Sequence, residues 1–191
     1  MSGILLETER LTIRRFTDAD VDELTQLDSD PDVTRFITGG IPEFDAAMLQ
    51  AWLSQYERWP AYGTFAAVER SSGRFLGWFH LRPDDGRDDE PELGYRLRRS
   101  AWGKGFATEG SRALVDLAFS DLGATRVFAT TMAVNVASRR VMEKSGLRFI
   151  RLFQADWPVR IPGDEHGDVE YAITRGEWEQ DRLRPAAPRG T

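Results

Sequence analysis

The chain has 191 residues, a formal net charge of −6 and no cysteine. This length fits a single domain with one hydrophobic core, and the absence of cysteine excludes disulfides, thiolate metal sites and cysteine nucleophiles. The acidic balance disfavours a partner with a phosphate backbone, and the two histidines, His80 and His166, are not spaced as ligands on one element. We therefore predict neither nucleic-acid binding nor a metal site.

Hydrophobic periodicity and capping residues predict a mixed α/β chain. A helical flap separates the first strand from a hairpin, and a strand, a long helix and a further strand then form a β-α-β crossover. We expect these elements to form a mostly antiparallel sheet flanked by helices. The predicted elements are, in chain order, a strand at 11–15, a helix capped by Thr17 and Asp20 and ending near 27, a helical turn from Pro31, a helix over 44–59, strands at 63–69, 74–81 and 92–98, a helix over 105–122, a strand at 126–132, a helix over 137–145, and strands near 147–156 and at 169–174.

Neither a signal peptide nor a membrane span is predicted. Residues 1–9 lack a basic start and a long apolar run, and no stretch reaches the ~20 consecutive apolar residues of a membrane helix. We therefore expect a soluble, cytoplasmic protein. Residues 1–180 are predicted to form one domain, and residues 181–191, which are small, polar and broken by proline near their end, a frayed tail.

An acidic run occupies residues 84–90, with the sequence Asp-Asp-Gly-Arg-Asp-Asp-Glu. Short charged runs usually serve solubility, so we expect a solvated loop. The alternative is a surface that attracts a basic, amine-bearing molecule.

The segment Trp102-Gly103-Lys104-Gly105-Phe106-Ala107-Thr108-Glu109-Gly110 is the most informative part of the sequence. Its glycines allow positive φ and a close approach of the backbone to a ligand, and the helix that follows offers unpaired N–H groups at the positive end of its dipole. This arrangement predicts an anion-binding turn. It is neither a P-loop nor a dinucleotide fingerprint, because the glycine spacing of both motifs is missing.

The same segment resembles the pyrophosphate loop of the GNAT superfamily of acyl-CoA-dependent N-acetyltransferases, whose pattern is Arg/Gln-x-x-Gly-x-Gly/Ala. Gly105 and Ala107 fit its last two defined positions, whereas Trp102 stands where Arg or Gln is usual. Two flanking segments match the RimJ/RimL-type branch in the right order: Pro91-Glu92-Leu93-Gly94-Tyr95-Arg96-Leu97 and the helix that begins Asn135-Val136-Ala137-Ser138. The resemblance covers roughly residues 5–174 and is specific over 92–147.

The resemblance implies the GNAT fold, in which two neighbouring strands splay apart and acetyl-CoA lies between them. Here those strands are 92–98 and 126–132. The co-substrate would then be acetyl-CoA, with no metal. The residues that we expect to bind it are Leu93, Tyr95, Leu97, Gly103, Lys104, Gly105, Phe106, Ala107, Thr108, Asn135, Ser138 and Arg139. Lys104, Arg99 and Arg139 are candidate phosphate partners, although each also fits plain surface.

Direct attack of an amine on a thioester requires a proton acceptor, a partner for the oxyanion and a proton for the leaving thiolate. Glu92, at the strand that leads into the cleft, is the first candidate for the general base, and His80 is the alternative. Asp156 and Glu170 are weaker candidates. The resemblance assigns Ser138 as proton donor to the thiolate, while the alternative for Asn135 and Ser138 is helix capping. A backbone N–H near residues 93–95 would meet the oxyanion.

The acceptor is the least determined part of the sequence prediction. The RimJ/RimL-type resemblance suggests the α-amine of a protein, such as a ribosomal protein, but the same scaffold serves aminoglycosides, amino acids and polyamines. Trp52, Tyr56 and Trp59 form an aromatic stripe that fits either helix packing or an acceptor pocket. A non-catalytic acyl-CoA-binding regulator remains a different class of function. Exposed strand edges would also allow a homodimer.

Overall fold

The structure is a computed structural model that describes residues 3–84, 87–156 and 160–183. Its strands are β1 (Ile4–Glu7), β2 (Leu11–Arg15), β3 (Gly63–Glu69), β4 (Phe75–Asp84), β5 (Arg87–Leu97), β6 (Arg126–Met132), β7 (Arg148–Phe153) and β8 (Asp168–Thr174). Its α-helices are α1 (Val21–Asp28), α2 (Pro31–Thr34), α3 (Ala46–Arg58), α4 (Phe106–Ser120), α5 (Val136–Lys144) and α6 (Arg175–Leu183). Short 3₁₀ turns lie at Asp18–Asp20, Arg99–Ala101 and Asp164–His166.

The strands form one eight-stranded sheet in the order β1-β2-β3-β4-β5-β6-β8-β7. All neighbouring pairs are antiparallel except β5 and β6, which run parallel because α4 crosses over between them. The mixed, mostly antiparallel sheet predicted from the sequence is therefore confirmed.

Helices pack on both faces of the sheet, because adjacent residues of each strand point to opposite faces. On one face, a Cβ at Gly110 of α4 would lie 2.3 Å from the ring of Phe79, so only glycine lets the helix approach this closely. On the other face, Trp52 of α3 contacts Trp78 of β4 with ring centroids 6.1 Å apart. Helices α3 and α4 thus enclose β4 from opposite sides.

The parallel strands β5 and β6 share a single registered pair, Glu92 with Phe128. Beyond this pair the two strands separate, although β5 continues to Leu97 and β6 to Met132. The gap between them is called the β5–β6 opening below. The glycine-rich segment after β5 and the N-terminus of α5 after β6 both follow the diverging ends of these strands, which places the two sequence motifs near the same opening.

Most predicted elements are confirmed within one to three residues, and the capping box of Thr17 and Asp20 is present. The sequence missed β1 and α6. The expectation of a loop over residues 84–90 is wrong for residue 84, which ends β4, and for residues 87–90, which belong to β5, while residues 85 and 86 lie outside the described residues. Helix α6 reaches Leu183, so its last turn overlaps the tail predicted from residue 181, and residues 184–191 are not described.

No helix within the described ranges combines the length and apolar character that crossing a bilayer requires.

Candidate active site at the β5–β6 opening

The glycine turn, defined here as residues 103–108, joins β5 to α4 with its N–H groups uncommitted. Gly103 and Gly105 have φ of 70° and 84°, and Gly105 is the N-cap of α4. Among the residues that the structure describes, none accepts a hydrogen bond from the backbone N–H of residues 103–108. A Cβ on Gly103 would have nothing within 4 Å. These exposed donors at a helix N-terminus suit a diphosphate.

Thr8 and Arg10 of the β1–β2 turn hold the glycine turn from behind, and no sequence motif indicated these contacts. Arg10 donates from Nη1 to the Lys104 carbonyl at 2.9 Å and from Nε to Glu109 at 2.7 Å. The Thr8 hydroxyl donates to Glu109 at 2.6 Å. Burial alone would raise the pKa of Glu109, but the hydrogen bonds from Thr8 and Arg10 outweigh it and lower the pKa below its ordinary value. Glu109 therefore joins the start of α4 to the β1–β2 turn.

Within the described residues, the edge of β5 that faces the opening carries backbone donors at alternate residues that lie beyond its one registered pair with β6. Arg98 donates its N–H to the Leu76 carbonyl of β4, so the even-numbered residues of β5 bond to β4. The N–H and C=O groups of Leu93, Tyr95 and Leu97 therefore point the other way, toward β6. The pairing at Glu92 uses the N–H of Leu93, because a parallel ladder bonds through the flanking residues. The N–H groups of Tyr95 and Leu97 are left facing the opening.

Trp102, which departs from the family pattern, has a structural role at the same edge. Its indole Nε1 donates to the Leu97 carbonyl at 2.8 Å. The ring thereby ties the end of β5 to the start of the glycine turn.

A pair of hydroxyl groups lies where α5 meets the opening. The Tyr95 hydroxyl donates to the Ser138 carbonyl at 3.0 Å and lies 2.9 Å from Ser138 Oγ. Either hydroxyl can be the donor in the second contact, so the Ser138 proton is not committed to Tyr95. Burial raises the pKa of Tyr95 well above its ordinary value, so its hydroxyl stays protonated. The sequence named Ser138 as the proton donor and Tyr95 only among the residues that bind acetyl-CoA, and the structure adds Tyr95 as the hydroxyl partner of Ser138.

Asn135 has a capping contact as well as a position at the opening. Its Oδ1 accepts from the Ser138 N–H at 3.2 Å, and its Nδ2 donates to Thr131 Oγ1 at 3.1 Å. The capping alternative is therefore confirmed for Asn135, and its role in binding acetyl-CoA stays a prediction.

Glu92 lies at the base of the opening, where β5 and β6 still pair. Its carboxylate accepts from Arg82 at 2.9 Å and from Thr130 at 3.3 Å, and its side chain is 26% exposed. Burial, together with the charges of Arg82 and Arg96, lowers the pKa of His80 well below its usual value. The imidazole is therefore neutral, and its Nε2 lies 3.6 Å from Glu92 and has no hydrogen-bond partner among the described residues. Both candidate bases lie together, and Glu92 is the one that reaches solvent.

Gly94 explains how His80 fits beside Glu92. His80 and Gly94 are cross-strand partners, and a Cβ on Gly94 would lie 2.3 Å from His80 Nε2. The imidazole thus fills the space of the missing side chain and stacks on Trp78 with ring centroids 5.5 Å apart. The glycine of the Glu-Leu-Gly-Tyr segment is required by this packing.

The three candidate phosphate partners differ in their surroundings. Arg99 forms ion pairs with Asp30 and Asp32, and Arg139 donates to Tyr171 at 3.1 Å and to the Ala133 carbonyl at 3.0 Å. Their predicted contacts with phosphate compete with these interactions. Lys104 is exposed on the glycine turn.

The remaining candidates belong mainly to ion pairs and to packing. Glu170 forms ion pairs with Arg126 and Arg151, and Asp156 lies in the segment after β7. Tyr56 is buried and accepts from the Phe16 N–H at 3.2 Å. Trp52 packs in an aromatic cluster but also lines a cavity of about 40 Å³ whose polar groups are Asp28, Glu43 and Arg96.

No group of three or more His, Cys, Asp or Glu side chains in the described part of the chain is arranged to hold a metal ion.

A splayed parallel pair followed by an N–H-rich turn and helix defines an acyl-CoA-dependent acetyltransferase site. The family model described as "Acetyltransferase (GNAT) domain" matches residues 10–148, and the chain belongs to this family of acetyl-CoA-dependent N-acetyltransferases.

Known proteins agree with this assignment. The FsC-acetyl coenzyme A-N(2)-transacetylase of Aspergillus fumigatus is 37% identical over 163 residues, which cover 80% of this chain and 68% of that protein. A GNAT-family acetyltransferase structure from Bacillus anthracis aligns with a TM-score of 0.73 and 25% identity, covering 90% of this chain and 98% of its own. A structure of RimL, the ribosomal L7/L12 alpha-N-protein acetyltransferase, in complex with coenzyme A has the same fold, with a TM-score of 0.73, 18% identity, and coverage of 90% and 97%.

Proposed function

We propose that this N-acetyltransferase acetylates the α-amine of a small molecule, by direct attack on the thioester of acetyl-CoA while both substrates are bound. The observation that carries the proposal is the Glu92 carboxylate, partly exposed at the base of an opening whose edge presents the free N–H groups of Tyr95 and Leu97. The chain has no cysteine that could carry the acetyl group between two half-reactions.

The residues at the opening fit coenzyme A. The free donors of the glycine turn suit the diphosphate, and those of β5 suit the amide groups of a pantetheine arm. In this proposal, the N–H of Tyr95 also meets the negative charge that develops on the thioester oxygen, since it points into the opening rather than toward β4.

Proton transfer is assigned to two separate places. Glu92 takes the proton of the attacking amine, directly or through one water. Ser138, whose hydroxyl is linked to that of Tyr95, gives a proton to the departing thiolate. The two groups lie on different elements, β5 and α5, so that the acceptor and the leaving group each have a partner.

The acceptor class follows from the strength of the available bases. A carboxylate is a weak base, and the pKa of His80 is lowered by its burial. An α-amine, with an ordinary pKa near 8, is partly uncharged at neutral pH, whereas a lysine-type or polyamine nitrogen near 10.4 is almost entirely protonated. The relative from Aspergillus fumigatus is named for a numbered nitrogen, the usual way to designate a position in a small molecule.

The α-amine of a protein, as the RimJ/RimL-type resemblance implies, is the second candidate. It offers the same nitrogen, and a structure named RimL shares the fold of this chain. The predicted cytoplasmic location belongs to the proposal under either acceptor.

A panel of acceptors with acetyl-CoA, followed by release of free thiol, tests the proposal. The panel pairs an amino-acid amide with an Nα-acetyl-lysine amide, and adds a short peptide with a free N-terminus, spermidine and an aminoglycoside. We expect the amino-acid amide to have the highest kcat/KM. A preference for spermidine or for the ε-amine would contradict the α-amine assignment, and a preference for the peptide would favour the protein acceptor.

The variant Glu92→Gln tests the base. It keeps the size of the side chain and should lower kcat by about 10²–10⁴-fold while the affinity for coenzyme A stays unchanged. Unchanged turnover across pH would remove Glu92 from the mechanism. A wild-type protein that binds acetyl-CoA but acetylates no member of the panel would favour the regulatory, non-catalytic class.

We also propose that the homodimer expected from the exposed edges forms through β7. This strand is the last of the sheet, and Phe149, Ile150 and Leu152 are each more than half exposed. A free strand edge with exposed apolar side chains favours pairing with another strand. Sedimentation of wild type and Ile150→Lys should give a dimer and a monomer, respectively. Ile41→Lys, at a more exposed apolar position outside β7, is the control, and a monomeric wild type would contradict the proposal.

A further inference from the structure

Arg10 lies in the turn between β1 and β2, and its side chain reaches a segment more than ninety residues later in the chain. Its guanidinium contacts the Lys104 carbonyl at 2.9 Å and the Glu109 carboxylate at 2.6 Å, and it lies 4.5 Å from the ring centroid of Phe106. Its own backbone N–H donates to Glu109 at 2.9 Å. One residue thus touches the middle of the glycine turn and the first turn of α4.

The β1–β2 turn is a firm support for these contacts. Thr8 exchanges hydrogen bonds with Leu11, through its N–H at 2.8 Å and its hydroxyl at 2.9 Å. Both flanking strands continue into the sheet, because β2 pairs with β1 on one side and with β3 on the other. Arg10 is therefore held by the sheet at the position from which it contacts the glycine turn.

The contact with the Lys104 carbonyl fixes the direction of the next N–H group. In a trans peptide unit, the C=O of one residue and the N–H of the next point in opposite directions. Because the Lys104 carbonyl points toward Arg10, the N–H of Gly105 points away from it, to the open side of the turn. Without Arg10 this peptide unit would be held less firmly, since Lys104 and Gly105 on either side of it are exposed and glycine adopts φ of either sign.

The contact of Arg10 with Glu109 reduces the repulsion between this carboxylate and an anion bound at the N-terminus of α4. A carboxylate in the first turn of α4 complements the helix dipole but repels an anion bound at the same N-terminus. Arg10 and Thr8 supply four donor contacts to this carboxylate and hold it on the β1–β2 side. The positive guanidinium also offsets its charge.

We infer that Arg10 is a positioning residue for coenzyme A: it orients the N–H groups of the glycine turn toward the diphosphate and neutralises Glu109 behind it. The inference rests on the proposed assignment of residues 103–108 to the diphosphate. Arg10 touches the Lys104 carbonyl and Glu109, so in this inference it acts on binding through the backbone of the turn.

Calorimetric titration of coenzyme A into Arg10→Ala, Arg10→Lys and wild type tests the inference. We expect Arg10→Ala to weaken binding about tenfold or more, because a hydrogen-bonded charge is lost. Arg10→Lys keeps the charge but not the planar fork that spans two acceptors, so we expect an intermediate loss. Arg70→Ala is the matched control, since Arg70 donates to the Thr8 carbonyl at 2.7 Å in the same turn without touching residues 103–109.

A truncated thioester separates positioning from general damage to the fold. S-acetylpantetheine has no diphosphate, so its kcat/KM should be the same in wild type and Arg10→Ala. With acetyl-CoA, KM should rise at nearly constant kcat. Adding Glu109→Gln to Arg10→Ala should recover part of the lost affinity, because the uncompensated charge is removed.

The outcomes distinguish this inference from the proposed function. Equal losses with acetyl-CoA and with S-acetylpantetheine, or an unchanged affinity of Arg10→Ala for coenzyme A, would overturn the role of Arg10. A double variant that binds no better than Arg10→Ala would overturn its electrostatic part. A wild-type protein that does not bind coenzyme A would instead overturn the assignment of the glycine turn itself.

Discussion

Replacement of Gly94 by alanine should destabilise the protein, although alanine normally suits the interior of a strand better than glycine by about 0.5–1 kcal/mol. The added Cβ would lie 2.3 Å from His80 Nε2, 2.5 Å from Cε1 and 2.9 Å from Cδ2. An ordinary van der Waals contact begins near 3.4 Å, so the imidazole must move by about 1 Å. Its escape is hindered by Trp78, which stacks on it and packs against Trp52.

The cost of this overpacking is about 1–3 kcal/mol, the range for extra methylene groups forced into a packed site. For a chain of this length, each kcal/mol corresponds to a fall in Tm of about 2–4 °C. Displacement of the ring toward Glu92, which is 3.6 Å from Nε2, should also lower kcat.

Urea unfolding of Gly94→Ala, His80→Ala and the double variant measures the effect. The double variant should be more stable than the sum of the two single losses by about 1 kcal/mol or more, because the smaller residue at position 80 leaves room for the new methyl group. A Gly94→Ala protein as stable as wild type, or strictly additive losses, would refute the argument that the imidazole occupies the place of a side chain at Gly94.

Three further variants test the other parts of the site. Gly105→Asp should reduce coenzyme A affinity about 100-fold or more, since it adds bulk and negative charge at the glycine turn, and it should cost about 1–3 kcal/mol of stability because a side chain is strained at a φ of 84°; calorimetry of the folded variant showing normal affinity would contradict it. Tyr95→Phe removes the phenol linked to Ser138 and should lower kcat about tenfold at unchanged coenzyme A affinity, whereas an unchanged kcat in steady-state assays would leave the hydroxyl pair a structural role. Burial lowers the pKa of His80, so below about pH 6.5 this imidazole binds a proton in the unfolded chain but stays unprotonated in the folded protein. Between pH 6.5 and the lowered pKa, the free energy of unfolding should therefore fall by about 1.4 kcal/mol per pH unit as pH decreases, and His80→Gln should lack this slope in urea titrations; equal slopes would contradict the assignment.

The sequence predicted the part of the site that local motifs encode. Glycines at 103 and 105 followed by an amphipathic helix predict a turn with free N–H groups, and the structure has that turn. The order of hydrophobic segments likewise predicted the β-α-β crossover, because strand and helix periodicities differ clearly there.

The missed features depend on contacts between distant parts of the chain. Strand β1 is four residues long and forms only by pairing with β2. Helix α6 is mostly polar, so its sequence does not indicate which part of the protein it packs against. The charged residues 87–89, with the sequence Arg-Asp-Asp, are exposed, yet they form a strand because β4 supplies a partner. Arg10 could not be identified from its own neighbourhood, since its acceptors lie near residue 104 and residue 109.

The single registered pair between β5 and β6 has a mechanical consequence. The two halves of the sheet meet at β5 and β6, which share few backbone hydrogen bonds. Packing by helices and side chains must therefore supply much of the stability that backbone hydrogen bonds supply between the other strands. A ligand bound between the two strands would supply hydrogen bonds to both, and its binding free energy would add to the free energy of unfolding. At a ligand concentration one hundred times its Kd, this contribution is about 2.7 kcal/mol. The Tm of the enzyme should therefore rise with the concentration of its co-substrate.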